Sequence, residues 1–389
     1  MDTSDRPPET RVGLVLTGGG ARAAYQVGVL QAISEMLPAD SPCPFPIICG
    51  TSAGAINATV LAANAGNFTQ AVHQLMMVWK NFHVHHVYRA DPAGVMHNSG
   101  KWIIAALTGG LGRTTPISLL DNAPLAHLLG TGLNFDGIRE SIAKGCLYAF
   151  SITCSGYTSG QSVTFFQGAE GLEPWHRARR IGIPAKIGLN HLLASSALPF
   201  IFPAMRINRE YFGDGSMRQI APVSPALHLG ANRLFVIGVG RQMKGQQERI
   251  KTNSYPSLAQ IAGHCMNSIF LDSLEVDLER LQRINRTISI MPPDLRARNN
   301  MPLHEVEFRV ISPSEALEQI ALNYTDRLPL TIRALLYTVG ALKKSGSNLV
   351  SYLLFEKEYC RALIDLGYND TMQRRDELMT FLGFEACWL

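Results

Sequence analysis

Two short apolar runs near the start of the chain each end in a glycine-bearing turn that leads into a helix, and that pattern constrains the fold most. Val12–Leu16 (VGLVL) is a continuous apolar run of the buried-strand type. Gly18–Gly20 end it, and ARAAYQVGVLQAISEML follows with helical spacing, Leu30, Ile33 and Leu37 sharing a face. Pro38 and the turn-rich PADSPCP close that helix. PIIC, Pro46–Cys49, reads as a second buried strand, GTSAGA (Gly50–Ala55) turns out of it, and AINATVLAANA is an Ala-rich helix stopped at Gly66. The order is strand, glycine loop, helix, strand, G-x-S-x-G, helix.

That order places Ser52 on a strand-to-helix turn, the setting a nucleophile elbow requires. A tight turn there holds the serine in a strained conformation and aims its Oγ away from the sheet. Gly50 and Gly54 are small because strand and helix pass close together, with Thr51 and Ala53 completing the elbow. The helix N-terminus that follows adds positive potential, which favours an oxyanion nearby.

The loop TGGGARAA does not fit two nucleotide-binding patterns. Ala23 stands where G-x-G-x-x-G needs its last glycine, and no G-K-[ST] follows for a P-loop. Two readings stay open: a plain glycine turn, or an oxyanion hole built from the backbone N–H groups of Gly19, Gly20 and Ala21, with Arg22 close enough in sequence to support negative charge. For a base, a Ser-His-Asp triad on an α/β-hydrolase sheet would place several strands before the elbow strand, and here there is one. None of the 11 histidines has a fitting context. His83, His85 and His86 in HVHHVYR look metal-like but sit in a loop without carboxylate or cysteine neighbours in sequence. Asp214, between Gly213 and Gly215, is the better candidate, on a turn able to expose a carboxylate at a strand end. Ser224 and Pro225 then read as N-cap and first residue of the next helix.

Bulk properties narrow the function class. A chain of 389 residues with 46% hydrophobic and 17% charged residues is globular, large enough for one big domain with an extension. Seven cysteines, with no C-x-x-C pair, read as reduced thiols of a cytoplasmic protein. MDTSDRPPET lacks the basic and apolar regions of a signal peptide, and no apolar run approaches the length of a membrane span. The net charge of +4 permits contact with anionic lipid and does not imply nucleic acid.

Three stretches, TGGGARAAYQVGVLQ, GTSAGAINA and SALPFIFPAMRINREYFGDGSMRQIAPVSPALHLGA, together resemble the patatin-like phospholipases over about Arg11 to Gly240. The resemblance implies that Ser52 is the nucleophile and Asp214 the single base, a Ser–Asp dyad without histidine. It implies an oxyanion hole at Gly18, Gly19, Gly20, Ala21 and Arg22, a base turn completed by Gly215 and Ser216, and no metal or organic cofactor. Two positions depart from the family pattern: Ala23 replaces a frequent glycine, and DGS replaces the usual D-G-G or D-G-A.

The expectation is a three-layer α/β fold with a mixed, mainly parallel sheet over residues 11–311, after a disordered stretch 1–10 and before a C-terminal helical extension 312–389. The expected activity is acyl-ester hydrolysis of phospholipid or lysophospholipid by a cytoplasmic, peripherally membrane-associated enzyme. Acyl transfer on the same dyad and a catalytically silent lipid- or partner-binding protein are the alternatives. Leu192–Phe202 (LLASSALPFIF) is acyl-chain wall or ordinary core. Residues 83–116, with Trp102, Ile103 and Ile104, form a lid or membrane-contact loop. Arg177, Arg179, Arg180 and Lys186 meet lipid phosphates or form a solvated face. Leu258–Ile284 reads as one long amphipathic helix, and Ser312–Glu315 (SPSE) as a capping box with Pro at N1, followed by three or four helices. Those helices form a cap, a homo-oligomer surface or a lipid-contact module.

Overall fold

All five residues of VGLVL are buried and form β1 (Val12–Leu16). Their side chains alternate between two cores: Val12, Leu14 and Leu16 enter the larger one, Val15 the smaller. A strand buried on both faces needs helices on both faces, and the chain supplies them. The computed structural model describes residues 10–92, 94, 100, 118–241, 255–298 and 303–384.

From β1 the chain passes through α1 (Ala24–Met36) to β2 (Ile47–Thr51), parallel to β1 with Leu14 opposite Ile48. Helices α2 (Ala53–Ala63), α3 (Phe68–Trp79) and α4 (Ala123–Gly132) follow. β3 (Ala149–Gly156) adds parallel to β2, and β4 (Ser162–Gly168) turns back antiparallel to it. A short hairpin, β5 (Trp175–Arg177) and β6 (Arg180–Pro184), ends that edge of the sheet. After α5 (Leu189–Ser195) come β7 (Met205–Ile207) and β8 (Glu210–Asp214), then β9 (Arg233–Ile237). β8 pairs antiparallel with the end of β3, bringing Asp214 opposite Cys154. β9 returns to the free side of β1. The main strand order is Glu307–Ile311, then β9-β1-β2-β3-β4-β6-β5, a mixed sheet whose central strands are parallel.

The long helix expected from Leu258 forms as α6 (Leu258–Asn267) and α7 (Ser273–Ser289), joined without a break by a π-helical turn, Ser268–Asp272. Leu274, Leu278 and Leu281 of α7 cover the smaller core. The edge strand β10 (Glu307–Ile311) pairs parallel with β9. No strand is expected there from sequence, although the alternation of Glu307 and Arg309 with Phe308 and Val310 is the period-2 pattern of a half-buried edge strand.

Segment 312–389 is helical where described. Five helices form among the described residues, more than the three or four expected: α8 (Leu317–Leu322), α9 (Leu330–Thr338), α10 (Ser347–Leu353), α11 (Lys357–Met372) and α12 (Arg375–Leu382). They share the larger core with β1 and α1. α11 lies along α1 so closely that Gly28 faces the Ile364 carbonyl and Gly367 the Tyr25 carbonyl. The Tyr25 hydroxyl donates to Asp370 at 2.9 Å.

Two local expectations are corrected. Ser312–Glu315 is not a capping box: α8 starts at Leu317, and the Ser314 N–H donates instead to Asp370 at 3.0 Å. Ser224 is the first helical residue of Ser224–His228, with Val223 as the cap. The 1–10 expectation falls outside the described residues except at Thr10, as do Trp102, Ile103 and Ile104. Among the described residues, no helix is long and apolar enough to cross a membrane.

Candidate active site

Ser52 sits between the end of β2 and the first turn of α2 with φ 56° and ψ −132°. A serine in this positive-φ region is strained by about 1–3 kcal/mol, so the surroundings must hold it there. One restraint is the close passage of α2 over β1: a side chain on Gly54 would strike the Leu16 and Thr17 carbonyl oxygens at 2.5 Å. Another is Ser195 on α5, whose Oγ accepts the Ser52 N–H at 2.9 Å and donates to the Thr153 carbonyl at 2.7 Å.

Asp214 ends β8 and is fully buried. Ser52 Oγ donates to its Oδ2 at 2.5 Å, in the range of a charge-assisted O–H···O⁻ bond. Oδ1 accepts the Ser216 N–H at 3.0 Å, and the Asp214 N–H donates to the Ala197 carbonyl at 2.9 Å. Burial pushes the carboxyl up from its ordinary value to about 7, against the opposing pull of the Ser52 and Ser216 hydrogen bonds. A carboxylate with that affinity for protons can exchange one with a hydroxyl near neutral pH. Among the described residues, no histidine hydrogen-bonds to Ser52 or Asp214.

The glycine loop runs into a short 3₁₀ turn, Gly20–Ala23, and its first N–H groups lack partners within that turn. Both ends are tied from beneath. Gln26 Nε2 donates to the Thr17 carbonyl at 2.8 Å, and Asn57 Nδ2 to the Ala23 carbonyl at 3.2 Å. Asn57 also bonds Gln26 at 3.0 Å and accepts the Trp79 Nε1–H at 2.9 Å, so one buried network joins β1, α1, α2 and α3. Sequence reasoning missed Gln26 and Asn57. Their signal is a polar residue on a helix face otherwise filled with apolar ones, both being 0% exposed. Gly20 and Ser52 line the same cavity, while the Arg22 side chain turns away from it. The Arg22 side chain, expected to support developing charge, instead reaches Ser351 and Asn348 of α10.

The cavity measures about 360 Å³ and is walled mainly by apolar side chains. Ser52, Ile56 and Val60 all line it, and their i, i+4, i+8 spacing sets the slot along α2 for roughly 12 Å at 1.5 Å per residue. Leu125 and Leu129 of α4 face them. Of Leu192–Phe202, Ser196, Leu198 and Phe202 reach the cavity, while Leu192 and Ala194 are core. Met77 and Val78 line it and are also 57% and 43% exposed, which marks the mouth.

His83, His85 and His86 have a carboxylate neighbour that the sequence hid: Glu356, beyond α10, contacts His83 Nδ1 at 2.7 Å and accepts the Val84 N–H at 3.2 Å. Among the described residues, no group of three or more potential ligands could hold a metal. Arg177 and Arg179 lie exposed on the β5–β6 hairpin at the sheet edge, and Lys186 pairs with Asp136 at 3.3 Å.

A family model described as patatin-like phospholipase matches residues 14–227, a span that holds most of β1, the elbow, most of the cavity wall and the Asp214 turn. The chain is 50% identical over 54 residues to lysophospholipase nte1 of Aspergillus terreus, a match covering 14% of this chain and 3% of that protein. Among solved structures, human GIVD cytosolic phospholipase A2 aligns with a TM-score of 0.42 at 10% identity, over 98% of this chain and 61% of that one. Its complex with methyl gamma-linolenyl fluorophosphonate aligns with a TM-score of 0.41 at 13% identity, over 97% and 60%. The family match covers more than half of the chain, including both Ser52 and Asp214, and the chain belongs to the patatin-like phospholipase family.

Proposed function

We propose that this chain is a serine acyl hydrolase that releases fatty acid from phospholipid or lysophospholipid through a Ser52–Asp214 dyad. The observation that carries the reading is the 2.5 Å hydrogen bond from Ser52 Oγ to a buried Asp214, at the end of an apolar slot sized for an acyl chain. Asp214 takes the Oγ proton as Oγ attacks the acyl carbonyl carbon. Backbone N–H groups of the Gly18–Arg22 loop hold the tetrahedral oxyanion. The bond to the leaving alcohol breaks, Asp214 returns the proton to that oxygen, and an acyl-serine remains. Water, deprotonated by Asp214, attacks the acyl carbon; the fatty acid leaves and Ser52 regains its proton. These steps require no metal or organic cofactor.

The protein reaches its substrate as a cytoplasmic, peripheral membrane protein, with Met77 and Val78 at the mouth of the slot facing the lipid surface. The test is product analysis. A mixed lipid extract incubated with the wild-type chain gains free fatty acid and the matching lysolipid or glycerophospho-alcohol. Ser52→Ala gives neither. Equal fatty-acid release by both proteins contradicts the assignment.

A further inference from the structure

Arg22 follows the glycine loop, is only 1% exposed, and has every named side-chain partner in the C-terminal helices. Its Nε donates to Ser351 Oγ at 2.8 Å and its Nη2 to Asn348 Oδ1 at 3.1 Å, both on α10. Glu318 Oε2 of α8 lies 3.7 Å from Nη2, and the guanidinium stacks 4.1 Å above the Tyr352 ring. Burying a guanidinium is costly unless its donors are met, and here Nε and Nη2 are met from more than 300 residues away in sequence.

The loop itself is pressed by the same helix. Gly20 has φ +54°, and a side chain there would collide with the Tyr352 carbonyl oxygen. Gly18 is backed by Phe270 of the π-helical turn, within 2.9 Å of where its Cβ would stand. Phe270 packs on Tyr352 at 5.1 Å between ring centroids, and Tyr352 donates its hydroxyl to Asn267 at 2.9 Å. The loop that lines the cavity beside Ser52 is thus held on its outer side by residues 267–270 and 348–352, all outside the span 14–227 matched to the family.

We propose that Arg22 is a positioning residue that clamps the Gly18–Arg22 loop to α10, making the C-terminal helices a working part of the oxyanion site. The proposal rests on the hydrolase reading above. A loop released from α10 still folds over β1 through Gln26 and Asn57 but no longer holds its N–H groups where the oxyanion forms. Displacements near 1 Å cost about 10²-fold in rate.

The test uses the full chain, a soluble short-chain ester and its thionoester, in which the carbonyl oxygen is sulfur. An ordered oxyanion hole favours oxygen over the larger, weakly accepting sulfur, so the ester-to-thionoester rate ratio reports loop geometry. Arg22→Met combined with Ser351→Ala removes donor and acceptor together, which avoids leaving either one buried and unpaired. The expected result is a kcat about 10²-fold lower, KM within about twofold of wild type, and a rate ratio falling towards one. Asn348→Ala, at the half-buried end of the fork, moves the ratio in the same direction by a smaller factor and serves if the double variant does not fold. Variants with wild-type kcat and rate ratio, whatever their melting temperature, overturn the clamp while leaving the dyad intact. A wild-type chain that turns over neither substrate overturns the hydrolase reading and the clamp with it.

Discussion

Ser195 Oγ accepts the N–H of Ser52 at 2.9 Å and donates its own O–H to the Thr153 carbonyl at 2.7 Å, stitching α5 to the strained elbow and to β3. Ser195 is fully buried, so its loss leaves a buried donor and acceptor unmet. Ser195→Ala is expected to lower stability by about 1–3 kcal/mol, measured by urea unfolding. It should also slow the reaction of Ser52 with a fluorophosphonate, because the elbow relaxes from its positive φ. Unchanged stability and labelling rate contradict this role.

The raised Asp214 pKa has two readouts with opposite signs. In the proposed mechanism Asp214 acts as an ionised base, so kcat/KM should rise with pH through about 7 and level off above it. Stability runs the other way. The folded protein holds this proton up to about pH 7, whereas an unfolded Asp releases it near about pH 4, so this group's contribution falls as pH rises between those values. Asp214→Asn does not titrate there and keeps an acceptor for Ser216 and a donor for Ser52. It should lose roughly 10²–10⁴-fold in rate yet melt higher than wild type at pH 8, with the gap shrinking as pH falls towards 4. A melting difference that grows on acidification contradicts the burial argument.

Val60 lines the slot two helical turns from Ser52. Filling it with Val60→Phe should leave turnover of a short-chain ester within about twofold and cut turnover of a long-chain ester at least about tenfold, the scale of a few methylenes' burial. Equal loss on both esters would move the acyl slot elsewhere.

Gly28 offers a test of whether the C-terminal helices are integral to the core. In an exposed helix, Gly→Ala stabilises by about 1 kcal/mol. Here a Cβ would meet the Ile364 backbone, which cannot yield as a flexible side chain would. Gly28→Ala should therefore destabilise by about 1–3 kcal/mol, the scale of other overpacked cores. A stabilised variant shows that α11 docks loosely.

The elbow was legible in sequence because its rule is local: an apolar run, a G-x-S-x-G turn and a helix name their own geometry. The Asp214 turn was legible for the same reason, flanked by Gly213 and Gly215 at the end of a strand. What escaped was long-range. Nothing local in RVISPSEALEQ distinguishes a capping box from a loop whose Ser314 N–H is claimed by Asp370, 56 residues further on. Arg22 read as a supporter of charge because its neighbours in sequence are the glycine loop, whereas its partners in space are Ser351 and Asn348. Glu356, at the start of α11, meets His83 because α11 packs along α1 and reaches the end of α3, where Arg361 Nε donates to the Lys80 carbonyl at 2.8 Å. The π-helical turn carrying Phe270 interrupts an amphipathic period that sequence alone continues unbroken.

The covalent intermediate is the account's central claim, and trapping it is the most direct test. Wild-type protein mixed with excess long-chain ester, quenched in acid during turnover and digested, should yield a peptide containing Gly50–Ala55 heavier by one acyl group, with fragmentation placing it on Ser52. The adduct should be absent from Ser52→Ala. Turnover without any acyl adduct on Ser52, or an adduct on another residue that follows the same kinetics, contradicts the mechanism.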